Sequence, residues 1–384
     1  MHGLTHSLTH SLTHGLTHGL TLMKINGFRE DSPMKQIPLI EIRGGSPYEM
    51  GFQYGKQAKE LILSGLAHYK RRFSATNQMS LEEIYRYSMS FLPVVEQTFP
   101  DIAMEARGIA QGAGVKIDDI MMLNCRYEIS KFPKTNECTT FAVMPQAVKS
   151  GGTLFGQNWD YCLGILDNVV MIHSIYDDGS RVLGIAEAGQ MIRHGINSHG
   201  IGLVMNGLFS HEDNKGNGNE IPTCFLRKKI LSAKSFDEAR ANIFSSARSV
   251  SCNYVLVSKE GIAADFEAYP SGVNQILPQN GILTHANHFI IKPELSTVEK
   301  SMRDTQLRTL LMTHYGEIDP DYIKSCLGDH TNYPQCLCHH PEDPAVELEL
   351  REITVAGEIY NFDDGTAHIC AGPPCAGHFT TFVL

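Results

Sequence analysis

The segment Thr135-Asn136-Glu137-Cys138-Thr139-Thr140-Phe141 sets a cysteine at the head of a β-prone run. A thiol so placed can act as a nucleophile in acyl transfer. Taken alone, it reads more readily as a small buried hydrophobe. No competing signature is present: Gly-x-Ser-x-Gly, Gly-x-x-x-x-Gly-Lys-Ser/Thr, Gly-x-Gly-x-x-Gly and His-Glu-x-x-His are all absent. Downstream of Cys138, polar residues stand in short ordered segments. Gly156-Gln157-Asn158-Trp159-Asp160 holds the sole tryptophan. Gly195-Ile196-Asn197-Ser198-His199-Gly200 follows, with Asn206 at the next strand end. Thr284-His285-Ala286-Asn287-His288-Phe289 comes later, then Ser301-Met302-Arg303-Asp304.

A second grouping, Cys336-x-Cys338-His339-His340, suggests metal ligation. Zinc sites normally combine two spaced ligand pairs, and no partner pair stands out, so neither a metal nor another cofactor is expected. The ten cysteines are irregularly spaced and too few for a disulfide scaffold in 384 residues. With no recognisable secretion signal, reduced thiols and a cytoplasmic location are expected.

The elements that must position these residues change character along the chain. Residues 38–43 read as a strand. Ser46-Pro47-Tyr48-Glu49 carries a capping-box signature with Pro in the first turn, so a helix should start there and run to about 65. Further helices are expected near 80–96, 99–112 and 117–131. Strands are expected at 139–144, 152–159, 167–175, 181–187 and 201–206, with Asp178-Gly179 as a hairpin turn. Helices near 220–232 and 236–248 follow, the second opened by a capping box at Ser235-Phe236-Asp237-Glu238. Strands near 253–258 and 262–268 flank Lys259-Glu260-Gly261, a helix is expected at 299–314, and short strands return after 346. This order predicts an α+β fold with sheets covered by helices. No Pro- or Ser-rich linker divides it, so residues 23–384 are expected to form one compact fold.

Composition narrows the function. Thirty-two basic against 42 acidic residues give a formal charge of −10, the wrong sign for a non-specific nucleic-acid binder. No apolar run is long enough for a membrane span. Residues 1–22 repeat a four-residue unit that places His2, His6, His10, His14 and His18 at equal intervals. That tract lacks a basic n-region and an unbroken apolar core, so it is read as an unordered extension, the chain proper restarting at Met23 or Met34.

The ordered set of segments resembles the acyl-coenzyme A:6-aminopenicillanic acid acyltransferase, or isopenicillin N acyltransferase, family of autoproteolytic N-terminal nucleophile hydrolases. The resemblance spans roughly residues 38–384. It includes Gly44-Gly45-Ser46-Pro47-Tyr48-Glu49-Met50-Gly51, Gly55, Glu105-x-x-Gly108-Ile109-Ala110 and Asn124-x-Arg126-x-Glu128. It implies a four-layer αββα sandwich with a mainly helical N-terminal segment. It also implies self-cleavage at Glu137–Cys138 into a piece, 1–137, whose segment 23–137 is mainly helical, and a strand-rich piece, 138–384. Cys138 would then be the nucleophile, with its own freed α-amine as base. The same resemblance gives Asp160 the role of holding that amine. Asn287 becomes an oxyanion donor, Asn206 a second donor or substrate-orienting residue, and Arg303 a substrate-binding residue. Glu137 departs from the Gly common at that place in the penicillin enzyme and its close relatives. The implied reaction passes an acyl group from an amide through a thioester to water or an amine. Its partners would be a small acyl amide, or an acyl-coenzyme A with an amine acceptor, and the processed product an αβ heterodimer or a higher oligomer. Two other readings are an uncleaved, non-catalytic binder of acylated small molecules and a metal-dependent hydrolase using the C-terminal Cys/His cluster.

Overall fold

The computed structural model describes residues 36–76, 79–130, 138–215, 219–341, 345–346 and 350–384. The repeat at 1–22 and Glu137, and with it the expected scissile bond, lie outside the described residues.

Two sheets form the centre. One has eight strands in the order Leu39–Arg43, Val169–Ile175, Arg181–Glu187, His194–Asn197, Ile201–Gly207, Cys252–Ser258, Ala263–Tyr269 and Gly272–Ile276. Its first pair is parallel and its other pairs are antiparallel. The other sheet has six antiparallel strands in the order Ile282–His285, Cys138–Val143, Leu154–Cys162, Glu352–Asn361, Thr366–Ala371 and Phe379–Val383. The sheets pack face to face through Cys138–Val143 and Leu154–Cys162 against Ile201–Gly207. Every residue of these three strands is buried, as expected for strands covered on both faces.

Helices Thr223–Leu231 and Phe236–Ser245 cover the outer face of the larger sheet, and Arg303–Thr313 and Pro320–Leu327 cover the smaller one. The result is the expected four-layer αββα arrangement. Met34–Leu384 clusters as one unit.

Residues 47–129 supply the helical segment. Helix Pro47–Gln57 begins at a complete capping box: Ser46 Oγ accepts from Glu49 N–H, and the Glu49 carboxylate accepts from Ser46 N–H at 2.7 Å. It lies against helix Pro100–Ala113 so closely that the backbones touch. A Cβ on Gly51 would sit 2.0 Å from the Glu105 carbonyl oxygen, and one on Gly108 would sit 2.1 Å from that of Tyr48. Only glycine allows this approach, on both helices at once.

Buried polar contacts fasten this segment to the larger sheet and to the helix Thr223–Leu231 that covers it. Arg126 Nε lies 3.2 Å from Glu187 Oε1, and Tyr69 donates its hydroxyl to Glu187 Oε2 at 2.5 Å. Lys228 Nζ meets Glu105 at 2.9 Å.

Some boundaries differ from expectation. The helix near 80–96 divides into Leu81–Ser90 and Leu92–Thr98, because Pro93 has no N–H to continue the ladder and its ring crowds the preceding turn. At Ser235 only half the expected capping box forms. Ser235 Oγ accepts from Glu238 N–H, but the Glu238 carboxylate accepts from Lys234 N–H instead, at 2.9 Å. Among the described residues, no helix is long and apolar enough to cross a membrane.

Candidate active site

Cys138 opens the second strand of the smaller sheet, where the neighbouring strand sets Trp159 opposite it. Its side chain is buried, and Sγ lies 4.0 Å from the carbonyl oxygen of Asp160. The register therefore brings Asp160 beside the cysteine. Cys138 N–H donates to Asn287 Oδ1 at 2.9 Å. Asn287 follows the edge strand Ile282–His285, which pairs with Cys138–Val143 from the other side. Two strand pairings thus set three polar residues around one point.

Arg303 joins them. It is the first residue of helix Arg303–Thr313, and its side chain is buried rather than on the surface. Its guanidinium forks: Nη1 donates to Asp160 Oδ2 at 2.6 Å and Nη2 to Asn287 Oδ1 at 3.1 Å, while Nε reaches Ser301 Oγ at 3.4 Å. Only a planar group with several fixed donors can hold a carboxylate and an amide together in this way. Asp160 also accepts the Thr354 hydroxyl at 2.5 Å. Burial pushes the Asp160 carboxyl up to about 6, against the pull of Arg303 and Thr354.

The contacts fix the orientation of the Asn287 amide. Its oxygen faces two donors, Cys138 N–H and Arg303 Nη2, and its nitrogen faces the Gly207 carbonyl at 3.0 Å. One of its two N–H groups is therefore committed, and the other has no acceptor among the described residues.

Asn206 is placed differently. Its side-chain nitrogen lies 3.1 Å from each of Thr140 Oγ1, His285 O and Ala286 O. Its two protons are shared among three acceptors of the opposing sheet, which makes it a tie between sheets next to Cys138. His285 uses both ring nitrogens, Nδ1 towards Ala286 O at 2.6 Å and Nε2 towards Glu267 at 3.1 Å. Despite its burial, Asp265 and Glu267 raise its pKa to about 9.

A cavity of about 440 Å³ adjoins this group. Gly207, whose carbonyl holds Asn287, is in its wall, as is Tyr161, next in sequence to Asp160. Arg126 reaches it between Tyr127 and Tyr161, its guanidinium carbon 4.2 Å from each ring centre. The guanidinium carbon of Arg72 lies 5.2 Å from the Tyr161 ring centre. On the opposite wall Asp213 is pushed up to about 6 by burial. Neither this cavity, nor Thr354, nor the part played by Ser301 was signalled by residue type or spacing.

A family model described as acyl-coenzyme A:6-aminopenicillanic acid acyl-transferase matches residues 148–374, more than half of the chain. The chain belongs to this acyltransferase family. The matched span contains Asp160, Asn206, Asn287 and Arg303 and begins just after Cys138. The "acyl-coenzyme A:6-aminopenicillanic-acid-acyltransferase 40 kDa form" of Emericella nidulans is 27% identical over 310 residues, covering 77% of this chain and 82% of that protein. An uncharacterised protein of Archaeoglobus fulgidus is 24% identical over 347 residues, covering 74% of this chain and 56% of its own length. Among solved structures, a variant of conjugated bile acid hydrolase from Clostridium perfringens is 14% identical with a TM-score of 0.45, over 64% of this chain and 92% of that one.

Among the described residues, the group able to hold a metal is His330, Cys338, His340 and Cys375, which includes none of the four residues assembled around Cys138.

Proposed function

We propose that this acyltransferase-family chain cuts itself at Glu137–Cys138 and then cleaves amide bonds through an acyl-thioester on Cys138. The observation that carries the reading is the position of the Cys138 nitrogen, 2.9 Å from Asn287 Oδ1 and so tied through Arg303 to Asp160. That nitrogen is a peptide N–H before cleavage and an α-amine after it.

In processing, Cys138 Sγ attacks the carbonyl carbon of residue 137. The C–N bond breaks, the nitrogen keeps its own hydrogen and takes the thiol proton to leave as an amine, and a thioester remains. Water then adds to the thioester, which releases the residue 137 carboxylate and returns the thiol. The new α-amine has an ordinary pKa of about 7.7–8.0, well suited to taking the thiol proton near neutral pH. Nucleophile and base then belong to one residue, as in N-terminal threonine enzymes.

In turnover, the thiolate attacks the substrate carbonyl and the negative charge moves to its oxygen. The uncommitted N–H of Asn287 supports the oxyanion role, since such donors act where charge develops. The ammonium returns its proton to the leaving amine as the C–N bond breaks. Water or an acceptor amine then takes the acyl group, and the α-amine removes the proton from the attacking molecule. Asp160, held by Arg303 and Thr354, is the carboxylate linked through Arg303 and Asn287 to the nitrogen of the base. The cavity lined by Tyr127, Tyr161 and Leu208 is the room for the acyl or amine group of a small substrate.

Intact mass of the purified protein tests the reading. A fragment beginning at Cys138 is expected, together with a single uncut, inactive chain for Cys138→Ala. Amidase activity that persists in Cys138→Ala would show that the nucleophile lies elsewhere. An uncut wild-type chain without activity on N-acyl amines, thioesters or small peptides would favour a binding protein. Adding an amine acceptor to the same panel separates transfer from hydrolysis.

A further inference from the structure

The loop that follows helix Pro320–Leu327 and the turn Pro374–Ala376 bring His330, Cys338, His340 and Cys375 together. One ligand atom from each lies within 4.8 Å of all the others. His330 Nε2 and His340 Nε2 are 3.1 Å apart. Cys338 Sγ and Cys375 Sγ are 3.6 Å and 3.3 Å from His340 Nε2.

These separations can be compared with a coordination polyhedron. Zinc binds imidazole nitrogen at about 2.0–2.1 Å and thiolate sulfur at about 2.3 Å, almost always tetrahedrally in structural sites. A tetrahedron with those bonds has edges of about 3.3 Å for N···N, about 3.6 Å for N···S and about 3.8 Å for S···S. The three measured edges fall within a few tenths of an ångström of these values. Hydrogen bonding alone explains the cluster poorly, because two thiols and two imidazoles converge on one point and a thiol is a weak donor and a weak acceptor. The donor set, two soft thiolates with two imidazoles, selects zinc over the hard cations that take oxygen ligands.

We propose that His330, Cys338, His340 and Cys375 bind one zinc ion in a closed structural site. Four protein ligands leave no position for a substrate or an activated water, so the ion holds structure and does not perform chemistry. It joins the 328–340 loop to the C-terminal turn. His330 and Cys375 are exposed and provide the entry path.

The loop it fixes reaches the candidate active site. Asn158 Nδ2 donates to Leu327 O and Leu337 O, each at 2.8 Å, which pins both ends of the loop to the strand that carries Asp160. His339 N–H donates to Thr354 Oγ1 at 2.8 Å, and Thr354 N–H donates to His339 O at 3.0 Å. The Thr354 hydroxyl then donates to Asp160. Cys338 and His340 flank His339 on both sides. The ion thereby sets the position of Thr354, a positioning role for Asp160.

Metal analysis of the full-length protein, purified without chelator or nickel resin, tests the proposal. The histidines at 2, 6, 10, 14 and 18 can carry stray zinc, so stoichiometry is paired with cobalt substitution. Only cysteine ligands give thiolate-to-cobalt charge-transfer bands, and the tract at 1–22 contains no cysteine. The expected result is one zinc per chain that survives desalting, and a cobalt form with tetrahedral and charge-transfer absorption. Cys375→Ser should lower the charge-transfer intensity by about half and weaken zinc binding by at least about 100-fold. His330→Ala, at a second exposed ligand, should weaken binding likewise while leaving both thiolate bands. Absence of the bands in the wild type, unchanged spectra in Cys375→Ser, or a Cys338–Cys375 disulfide in the freshly purified protein would each overturn it.

Discussion

Asp160 and Arg303, 143 positions apart in the chain, meet at 2.6 Å in the interior of the protein. Each is nearly inaccessible to water, so neither charge can be left without the other. Removing one partner of such a pair exposes the full desolvation cost of the survivor. Arg303→Met should therefore cost about 3–5 kcal/mol in urea unfolding. Asp160→Asn combined with Arg303→Met should recover part of that loss. Equal stability of the single and double variants would show that the two residues are not coupled.

The two asparagines near Cys138 should behave differently. Asn287→Ala should reduce kcat on a cleavable amide by about 100- to 1000-fold, the usual effect of one lost oxyanion donor. Asn206→Ala should instead lower stability by about 1–3 kcal/mol, because Thr140 Oγ1, His285 O and Ala286 O each lose one hydrogen-bond donor in the buried interface between the sheets. Steady-state kinetics and urea midpoints on both variants test the contrast. A larger rate loss for Asn206→Ala than for Asn287→Ala would reverse the assignment.

His285 gives a pH signature. Its pKa is raised in the folded protein from about 6.5 to about 9. The folded state therefore binds the proton more tightly than the unfolded chain. The stabilisation is fully present below about pH 6.5 and disappears as pH rises through about 9, a loss of the order of 3 kcal/mol. His285→Gln should flatten the stability profile across that window. A wild-type profile that rises between pH 7 and 9 relative to the variant would contradict the charged state assigned to this ring.

The contact between helices Pro47–Gln57 and Pro100–Ala113 should tolerate no added methyl group. Gly108→Ala puts a carbon 2.1 Å from the Tyr48 carbonyl oxygen, so the helices must separate, at a cost of about 1–3 kcal/mol or more. Gln111→Ala, an exposed change on the same helix, should shift stability by less than about 0.5 kcal/mol. Equal melting points for the two variants would show that the close approach does not contribute.

Long periodic elements and capping signals were legible in the sequence. Ser46 with Glu49, the hairpin glycines 179 and 261, and the change from helix to strand at Cys138 all carry local chemistry. Short elements were not legible. His194–Asn197 and Ile282–His285 have four residues each and exist only because a neighbouring strand pairs with them. Of the five residues singled out in the sequence, Cys138, Asp160, Asn287 and Arg303 lie within one connected group of contacts, and Asn206 ties the two sheets beside them. Thr354 and Ser301 were invisible, since a hydroxyl in a strand or a turn carries no signature until the fold aims it. Cys375 escaped for a related reason: the partner of Cys338 lies beyond two intervening strands, and local spacing rules cannot reach it.

The buried contacts of Arg126 with Glu187 and of Glu105 with Lys228 join residues on either side of position 137. If that bond is cut, nothing in the native state need come apart, and the two pieces should migrate as one particle. Reversibility changes all the same. The intact precursor refolds as one molecule at a rate independent of dilution. The cut enzyme, once unfolded, must find its other half by diffusion. Maturation would thus convert folding from a unimolecular event into a bimolecular one, and leave the working protein dependent on the slowness of its own unfolding.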